Sequence, residues 1–308
     1  MGERIDARWL SIRREADTAA REASLSLVQM LAAHFGTTQI SSDELDVDEL
    51  DVIDIGAGTG ANAQWLAPRL HQSLRAVGAF AAQHWHLLDH DPALLKARSL
   101  ALPGKQVRVS DHLATTADLA AVLRGIEGVS LVTCSALLDL LSSAEIDALA
   151  ADTVAGADAA LLALSVTGVI TITPGDCADA LVSDLFNLHQ QRAELEDAGA
   201  PAQAAAGPTG WRHAQAAFEG AGWSVDTAHT PWLLGPHQAP LSRRLLVERA
   251  EAAAQMASDA SGRADVRAWL ARRERHLETS GLDIRVDHID MLALPPRSIS
   301  VQMSSPRA

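Results

Sequence analysis

The fold is decided by the stretch Leu50-Asp51-Val52-Ile53-Asp54-Ile55-Gly56-Ala57-Gly58-Thr59-Gly60-Ala61-Asn62. An apolar strand leads there into a turn with three glycines, and the turn leads into a helix. Glycine permits a tight turn and lets a ligand approach the backbone. The free N–H groups at the start of the helix can bind a polar ligand. The stretch therefore predicts a ligand site at the end of a β-strand.

Strand and helix patterns alternate along the chain from this stretch onward. The apolar runs predict strands at 50–55, 84–89, 107–110, 129–135 and 159–166. The helical periods between them predict helices at 62–70, 92–100, 117–124 and 144–151. Pro68 is expected to kink or end the first of these helices, which leaves 71–83 as an inserted loop. The alternation predicts a parallel sheet with helices on both faces.

The glycine turn by itself fits two kinds of ligand site. Gly56-x-Gly58-x-x-Ala61 matches the dinucleotide fingerprint, which tolerates alanine in third place. Asp54 argues for the other kind, because a carboxylate at that point repels a pyrophosphate but can accept a hydrogen bond from an ammonium group. The third glycine, Gly60, also favours close contact with an amino acid and a ribose. An NAD-dependent oxidoreductase therefore remains an alternative.

The run Asp54-Ile-Gly-Ala-Gly-Thr-Gly60 resembles the first motif of the class I S-adenosylmethionine-dependent methyltransferases. The resemblance implies an α/β fold with a Rossmann-like, doubly wound, seven-stranded sheet whose last strand is inserted as part of an antiparallel hairpin. It also implies S-adenosylmethionine as the cofactor and S-adenosylhomocysteine as the product. In the family the glycines lie under the cofactor and the acidic residue serves its methionine end. The cofactor residues implied by this motif are Asp54, Gly56, Ala57, Gly58, Gly60 and Asn62.

Further cofactor residues follow from the ends of the next strands. Asp89 is similar to the family's acidic residue that holds both ribose hydroxyls, a task that suits a carboxylate because it accepts two hydrogen bonds at once. Its neighbour His90 is added to the site, whereas Asp91 fits better as a helix cap before Pro92. After the third strand, Asp111 and His112 resemble the family position that holds the adenine. After the fourth strand, Ser135 resembles a family position that lines the cofactor.

The candidates for the acceptor side are less specific. Asp139, Asn187 and His189 are the candidate catalytic residues, and a histidine there can act as a general base. Gln190 and Trp232 are candidate substrate contacts, although a polar helix face and a plain core position explain them as well. Residues 6–35 predict an amphipathic helix. One face of this helix carries the charged residues Arg14, Asp17 and Arg21. Either this face is solvated, or the helix caps the ligand site and directs Arg14 toward it.

His84, His86 and His90 raise the question of a metal site. Strand alternation places His84 and His86 on one side of the second strand. The carboxylate whose spacing from these histidines along the chain suits a shared metal ion is Asp89, which already has a role in cofactor binding. The sequence therefore predicts no metal.

Composition limits the partners of the chain. The formal net charge is −14 and no run of lysine or arginine occurs, so a nucleic acid substrate is disfavoured. A small-molecule acceptor is expected instead. No uninterrupted apolar window of about 18 residues and no signal peptide are found, which predicts no membrane association. Two isolated cysteines, Cys134 and Cys177, indicate a reducing cytoplasmic location.

The expected domain plan has a helical N-terminal cap and linker (1–44), a methyltransferase domain (45–297) with a helical excursion (240–280) before the last strand, and a tail (298–308). Four segments also resemble a group of actinobacterial methyltransferase-like proteins without a settled substrate. These are Trp9-Leu10, Asn187-Leu-His189-Gln190, Pro231-Trp-Leu-Leu-Gly235 and Leu292-Ala-Leu-Pro295. The expected activity is in-line transfer of a methyl group to a small molecule, with a non-catalytic S-adenosylmethionine-binding protein as a further alternative.

Overall fold

The computed structural model describes residues 7–40, 49–98, 100, 104–192 and 204–296, and a mixed β-sheet runs through the middle of them. The predicted tail at 298–308 lies outside the described residues. The strands, numbered in chain order, are β1 (Glu49–Ile55), β2 (Ala82–Asp89), β3 (Val107–Leu113), β4 (Ser130–Ser135), β5 (Ala159–Thr173), β6 (Ser224–His229), β7 (Trp232–Leu234) and β8 (Asp283–Leu294).

The strand order is β3-β2-β1-β4-β5-β8-β6, and the short β7 also pairs with β8. Strands β1 to β5 are parallel, whereas β8 is antiparallel to β5, β6 and β7. The last strand is thus inserted between β5 and β6, as the resemblance implies. The expected doubly wound α/β fold is confirmed, with β7 added to the seven expected strands.

Helices cover both faces of the sheet. They are α1 (Ala7–Arg21), α2 (Leu25–Ile40), α3 (Ala61–Ala76), α4 (Pro92–Lys96), α5 (Leu119–Leu123), α6 (Ser143–Gly156), α7 (Asp179–Gln190), α8 (Gly210–Gly220), α9 (Ala239–Met256) and α10 (Ala260–Thr279). The apolar residues of α2 and α3 pack with Val52 on one face. Those of α5, α6 and α8 pack with Ile53 on the other. Alternate residues of one strand therefore serve two cores.

The central strands are apolar on both faces because both faces are covered. Residues 159–165 of β5 are buried without interruption, which is the pattern of a strand inside a parallel sheet. Local signals fix the helix that precedes β5: Ser142 and Glu145 form a capping box at the start of α6. Among the described residues, no helix has an apolar stretch long enough to cross a bilayer.

Strands β5 and β8 extend beyond the rest of the sheet. Their pairing continues from Ala160↔Ala293 to Thr173↔Asp283, with irregular register on the way. The extended part carries β7 and a third apolar cluster that includes Trp232, Leu246 and Trp269. Helices α9 and α10 lie in the chain between β7 and β8, where the helical excursion is expected. The division of the chain into domains stays a prediction.

The structure corrects several expected boundaries. The first helix after the glycine turn does not end near Pro68 but continues to Ala76, because its apolar face stays buried against the sheet, including Leu70 and Leu74. The long interval before Asp89 therefore comes from a longer helix and not from an inserted loop. The single helix expected at 6–35 is divided into α1 and α2 by a short 3-10 turn (Glu22–Ser24).

Candidate functional site

The glycine turn lies at the carboxyl end of β1. This strand lies between β2 and β4, at the point where the chain order of the sheet reverses, and open α/β sheets bind ligands at such a point. Gly56, Gly58 and Gly60 all have positive φ angles, of 63°, 55° and 81°. Other residues adopt this backbone region only at a cost. The Ala57 N–H donates to Leu88 O over 3.0 Å and ties the turn to β2.

Asp89 closes β2 directly beside this turn. Its side chain is 5% exposed. One oxygen accepts a hydrogen bond from Gly58 N at 2.7 Å, and the other accepts one from Asp91 N at 2.8 Å. A carboxylate offers about four acceptor positions, so Asp89 retains capacity for ligand hydroxyls. His90 beside it is 79% exposed. Asp91 caps α4 by accepting from Ala93 N, in agreement with its expected role.

Asp54 is buried behind the turn. Asn62 donates from Nδ2 to Asp54 Oδ1 over 2.7 Å, and Arg21 donates to Asn62 Oδ1 over 2.6 Å. The second oxygen of Asp54 has no partner among the described residues. Burial raises the pKa of Asp54 to about 7, against the opposing effect of the bond from Asn62. Asn62 therefore connects Asp54 to the N-terminal helix.

A small pocket adjoins the turn. Its volume is about 20 Å³, and α1 supplies one of its walls. The other walls come from α3, from the end of β4 and from the middle of β5. The charged face of α1 is thus turned toward this pocket and not only toward solvent. The lining residues are Arg14, Asp17, Thr18, Arg21, Ala61, Asn62, Trp65, Ser135 and Leu164.

Three leucine side chains cover the glycines. A Cβ placed on Gly58 would lie 3.2 Å from Leu10 of α1, and one on Gly60 would lie 2.7 Å from Leu100. Leu137, in the loop after β4, covers the first glycine in the same way. A ligand that touches the backbone of the turn must displace these side chains, since they already lie against all three glycines.

Asp111 and His112 lie within β3 and not after it, because the strand extends to Leu113. The expected position of these two residues in a loop is therefore wrong. Asp111 is exposed and forms an ion pair with Arg98. The ring of His112 is directed toward His86, with 3.1 Å between Nε2 and Nδ1. Neither residue lines the pocket beside the turn.

Two of the acceptor-side candidates lie near α1. Asp139 follows β4, its Oδ1 is buried without a partner among the described residues, and burial raises its pKa. Trp232 donates from Nε1 to Asp17 Oδ1 over 3.0 Å, so it is linked to the pocket through α1. Its ring lies 5.1 Å from that of His288.

The candidates on α7 are directed elsewhere. Asn187, His189 and Gln190 do not line the pocket but contact neighbouring segments. Asn187 donates to a backbone carbonyl in β5, His189 bonds to a side chain of α9, and Gln190 packs against a 3-10 turn. Their partners are Gly168 O at 3.1 Å, Gln255 Oε1 at 3.1 Å and Gly207, respectively.

A buried network around Arg21 was not expected from the sequence. The guanidinium of Arg21 is buried, lies 4.0 Å from the Trp65 ring centroid and is 3.6 Å from Asp290 Oδ2. The Asp290 carboxylate accepts hydrogen bonds of 2.8 Å from Ser24 Oγ, Leu164 N and Thr230 Oγ1. These partners are up to 266 positions apart in the chain, so no local pattern could reveal them. The spacing of Arg14 and Arg21 on one helix face was the available signal.

Two further buried groups were also missed. Arg249 of α9 is 5% exposed and lies over Phe186 of α7 at 4.1 Å. Its Nε and Nη1 have no partner among the described residues, and burial lowers the pKa of Arg249 to about 10. Burial also lowers the pKa of His288 to about 3, and the charges of Arg13 and Arg249 act in the same direction. His288 is therefore neutral at ordinary pH.

No family model and no curated protein matches this chain, but solved structures do. One is a cyclopropane-fatty-acyl-phospholipid synthase-like protein from Lactobacillus casei ATCC 334, with 15% identity, 92% of this chain and 99% of that chain covered, and a TM-score of 0.47. Another is loganic acid methyltransferase with SAH, with 10% identity, 91% and 96% covered, and a TM-score of 0.46.

A third is magnesium protoporphyrin IX methyltransferase from Synechocystis PCC 6803 with bound SAH, with 14% identity, 94% and 93% covered, and a TM-score of 0.39. Because every one of these TM-scores is below 0.5, we rest the fold on the strand order of the chain itself and take no functional conclusion from the likeness.

Proposed function

We propose that this chain is a methyltransferase that binds S-adenosylmethionine and transfers its methyl group to a small-molecule acceptor. The observation that carries the proposal is the pairing of Asp89 with the glycine turn at the switch point of the sheet. The carboxylate is fixed by Gly58 N at 2.7 Å and lies at the end of β2, where a ribose would meet it. The inserted antiparallel β8 gives the sheet the strand order expected for this class of enzyme.

The chemical groups around the glycine turn match the groups of the cofactor. Backbone at Gly56, Ala57, Gly58 and Gly60 would lie under it, and Asp89 would accept from its ribose hydroxyls. Arg14 and Arg21 of α1 approach Asn62 and Ser135 around the pocket, which suits the amino-acid end of the cofactor. His90, and less directly Asp111 and His112, remain proposals for the adenine side. The bound cofactor supplies a methyl group already activated by a sulfonium.

The chain's own residues then have to align the acceptor and exclude water. Helix α1 covers the turn through Leu10 and contributes Asp17 to both the pocket and Trp232. Asp139 is the preferred candidate base, because its raised pKa suits the acceptance of a proton from a hydroxyl or amine. Asn187, His189 and Gln190 are proposed as acceptor contacts of second rank, because neighbouring segments already occupy them.

A cytoplasmic location is part of the proposal. Both cysteines are free thiols, Cys134 buried and Cys177 exposed, which fits a reducing compartment. The formal charge of −14 supports a small acceptor over a nucleic acid.

The test is calorimetric titration of the purified protein with S-adenosylmethionine, S-adenosylhomocysteine and NAD in parallel. We expect micromolar binding of the first two and none of NAD. Asp89→Ala should lose this binding, whereas Asp91→Ala, which removes a neighbouring carboxylate that caps α4, should retain it. Circular dichroism of both variants controls for folding.

Binding of NAD alone would overturn the proposal in favour of an oxidoreductase. Equal loss in both variants would remove Asp89 from its assigned role. If the cofactor binds but no methyl transfer occurs with any acceptor in a broad screen, the protein is a non-catalytic binder of S-adenosylmethionine.

A further inference from the structure

A cluster of imidazole and carboxylate groups lies on the β1-β2-β3 half of the sheet. Asp51 of β1 pairs in register with His84 of β2, and His86 is two residues further along the same face. His84 Nδ1 lies 3.1 Å and His86 Nε2 lies 2.8 Å from the same oxygen, Asp51 Oδ1. The three ligand atoms lie within 4.8 Å of one another.

Each histidine is also held by its second ring nitrogen. His84 Nε2 is 2.8 Å from Ser110 Oγ, and His86 Nδ1 is 3.1 Å from His112 Nε2. Histidines that bind metals have this arrangement, in which the nitrogen away from the metal is hydrogen-bonded and so fixes the tautomer and the ring orientation. Two imidazoles are thus aimed at one carboxylate oxygen by partners from the neighbouring strand.

We propose that Asp51, His84 and His86 form a binding site for a divalent transition metal ion, with zinc as the reference ion and His112 as the outer partner of His86. The site is separate from the glycine turn, and the inference does not depend on methyl transfer. The sequence predicted no metal because the carboxylate was sought on the strand of the histidines; it comes instead from β1, 33 positions earlier.

The distances and the chemistry of the donors agree with this site. In a tetrahedral zinc site with bonds of about 2.0–2.1 Å, ligand atoms are about 3.3 Å apart, close to the observed 2.8 and 3.1 Å. Imidazole and carboxylate are common zinc ligands.

Metal binding requires only that protons move within the cluster. Without metal, the nitrogens of His84 and His86 that face Asp51 each carry a proton and donate it. With metal, those nitrogens bind the ion, and each ring donates from its other nitrogen to Ser110 or His112. Both of these partners can act as donor or acceptor, so the network satisfies either state. The side chains of Asp51, His84 and His86 are 18%, 10% and 12% exposed, which leaves a path for the ion and a position for water.

The test begins with full-length protein stripped with EDTA and titrated calorimetrically with zinc chloride. Wild type should bind one zinc ion per chain, and its melting temperature should rise with zinc, because the ion links β1 to β2. The cobalt(II)-substituted protein should show the intense visible absorption of a tetrahedral site. His86→Gln and Asp51→Asn should each weaken zinc binding by roughly 100-fold or more. His229→Ala, at an exposed histidine of β6, should bind as wild type does.

The proposal is overturned if stripped wild type takes up no zinc, if cobalt gives only the weak octahedral spectrum, or if His86→Gln and Asp51→Asn bind zinc as tightly as wild type. Should Asp51→Asn fail to fold, His84→Gln replaces it, and the cobalt spectrum of wild type decides without any variant. S-adenosylmethionine binding is measured on the same samples, so the two proposals can fail separately.

Discussion

Two halves of the molecule treat buried polar groups differently. In the half that we propose binds the cofactor, called the cofactor half below and formed by β1, β2, β3 and the glycine turn, both oxygens of Asp89 have partners. In the half that we propose binds the acceptor, called the acceptor half below and formed by β5, β7, β8, α7, α9 and the loop after β4, several buried atoms have none among the described residues. They are Asp139 Oδ1, Ser165 Oγ, Asn187 Oδ1, Ser242 Oγ, and Nε and Nη1 of Arg249.

Unpaired buried groups cost about 1–3 kcal/mol each, and proteins keep such costs mainly at functional sites. The difference indicates that the Asp89 carboxylate is already held by backbone donors of the chain, whereas the described residues leave these polar atoms of the acceptor half without a partner. The cofactor half has two exceptions, since Asp54 Oδ2 and Thr59 Oγ1 are also buried without a partner among the described residues.

The largest expected effect tests the cofactor half. In Gly58→Val, the side chain occupies the face of the turn where Leu10 lies and where the cofactor would contact the backbone. We expect S-adenosylmethionine affinity to fall by about 1,000-fold or more, which is about 4 kcal/mol, in calorimetric titration.

Gly78→Val is the matched control for this change. Gly78 also has a positive φ angle, of 71°, but no atom lies within 4 Å of an added Cβ. The backbone strain is therefore similar, and only the ligand contact differs. Equal affinity in the two variants would contradict the assignment of the turn as the cofactor site.

Asp54 should make stability depend on pH. Because the pKa of Asp54 is raised from 3.8 to about 7, the folded state holds a proton that the unfolded state has lost. Stability contributed by this carboxyl is therefore present below about pH 4 and is lost as the pH rises to 7. Asparagine does not titrate, so Asp54→Asn does not lose stability in this way. The free energy of unfolding of the variant relative to wild type should therefore rise by about 2–4 kcal/mol between pH 4 and pH 8.

Urea unfolding at a series of pH values measures this difference. Comparison with wild type cancels the effects of other groups, including His288, whose lowered pKa acts with the opposite sign between about pH 3 and 6.5. Asp226→Asn, at an exposed position of β6, is the control and should show a constant difference. A flat difference for Asp54→Asn would mean that the carboxyl is ionised in the folded protein throughout this range.

The same two halves differ in how far the sequence predicted them. The motif from Asp54 to Gly60 and the end of β2 at Asp89 are local signals, because a strand end and its turn are continuous in the chain. The sheet with helices on both faces was predicted from the alternation of strand and helix patterns, which is also a local signal. Arg249 and His288 could not be predicted in this way, because their surroundings are built by segments far apart in the chain. The cluster of Asp51, His84 and His86 could not be predicted for the same reason, since strand pairing and not spacing brings Asp51 to His84.

Arg249 tests the acceptor half. Replacing it by methionine removes a buried cation that has no partner among the described residues, and it keeps an unbranched side chain against Phe186. Because an uncompensated buried charge is unfavourable, we expect Arg249→Met to stabilise the protein by about 1–3 kcal/mol in urea unfolding. Arg273→Met is the matched control: Arg273 is equally buried but pairs with Asp179 and donates to Pro174 O. That variant should be less stable than wild type.

If Arg249→Met is more stable and Arg273→Met is less stable than wild type, then the effect of a buried arginine on stability depends on whether it is paired and not on burial alone. If Arg249→Met is destabilised as much as Arg273→Met, then Arg249 is compensated within the chain, and the contrast between the two halves fails at that position.

The smallest expected effect concerns Leu10 of α1, which covers the glycine turn. Leu10 of α1 covers Gly58, so a cofactor that contacts the backbone of the turn must wait for this side chain to move away. Association that waits for such a change is slower than simple encounter. Leu10→Ala should therefore raise the association rate constant of S-adenosylmethionine by about 2–5-fold in stopped-flow fluorescence, with dissociation raised as well. Leu181→Ala, at an exposed position of α7, should leave both rates unchanged. An unchanged association rate in Leu10→Ala would mean that α1 already moves faster than the cofactor arrives, and the contact with Gly58 would then be a property of the closed state alone.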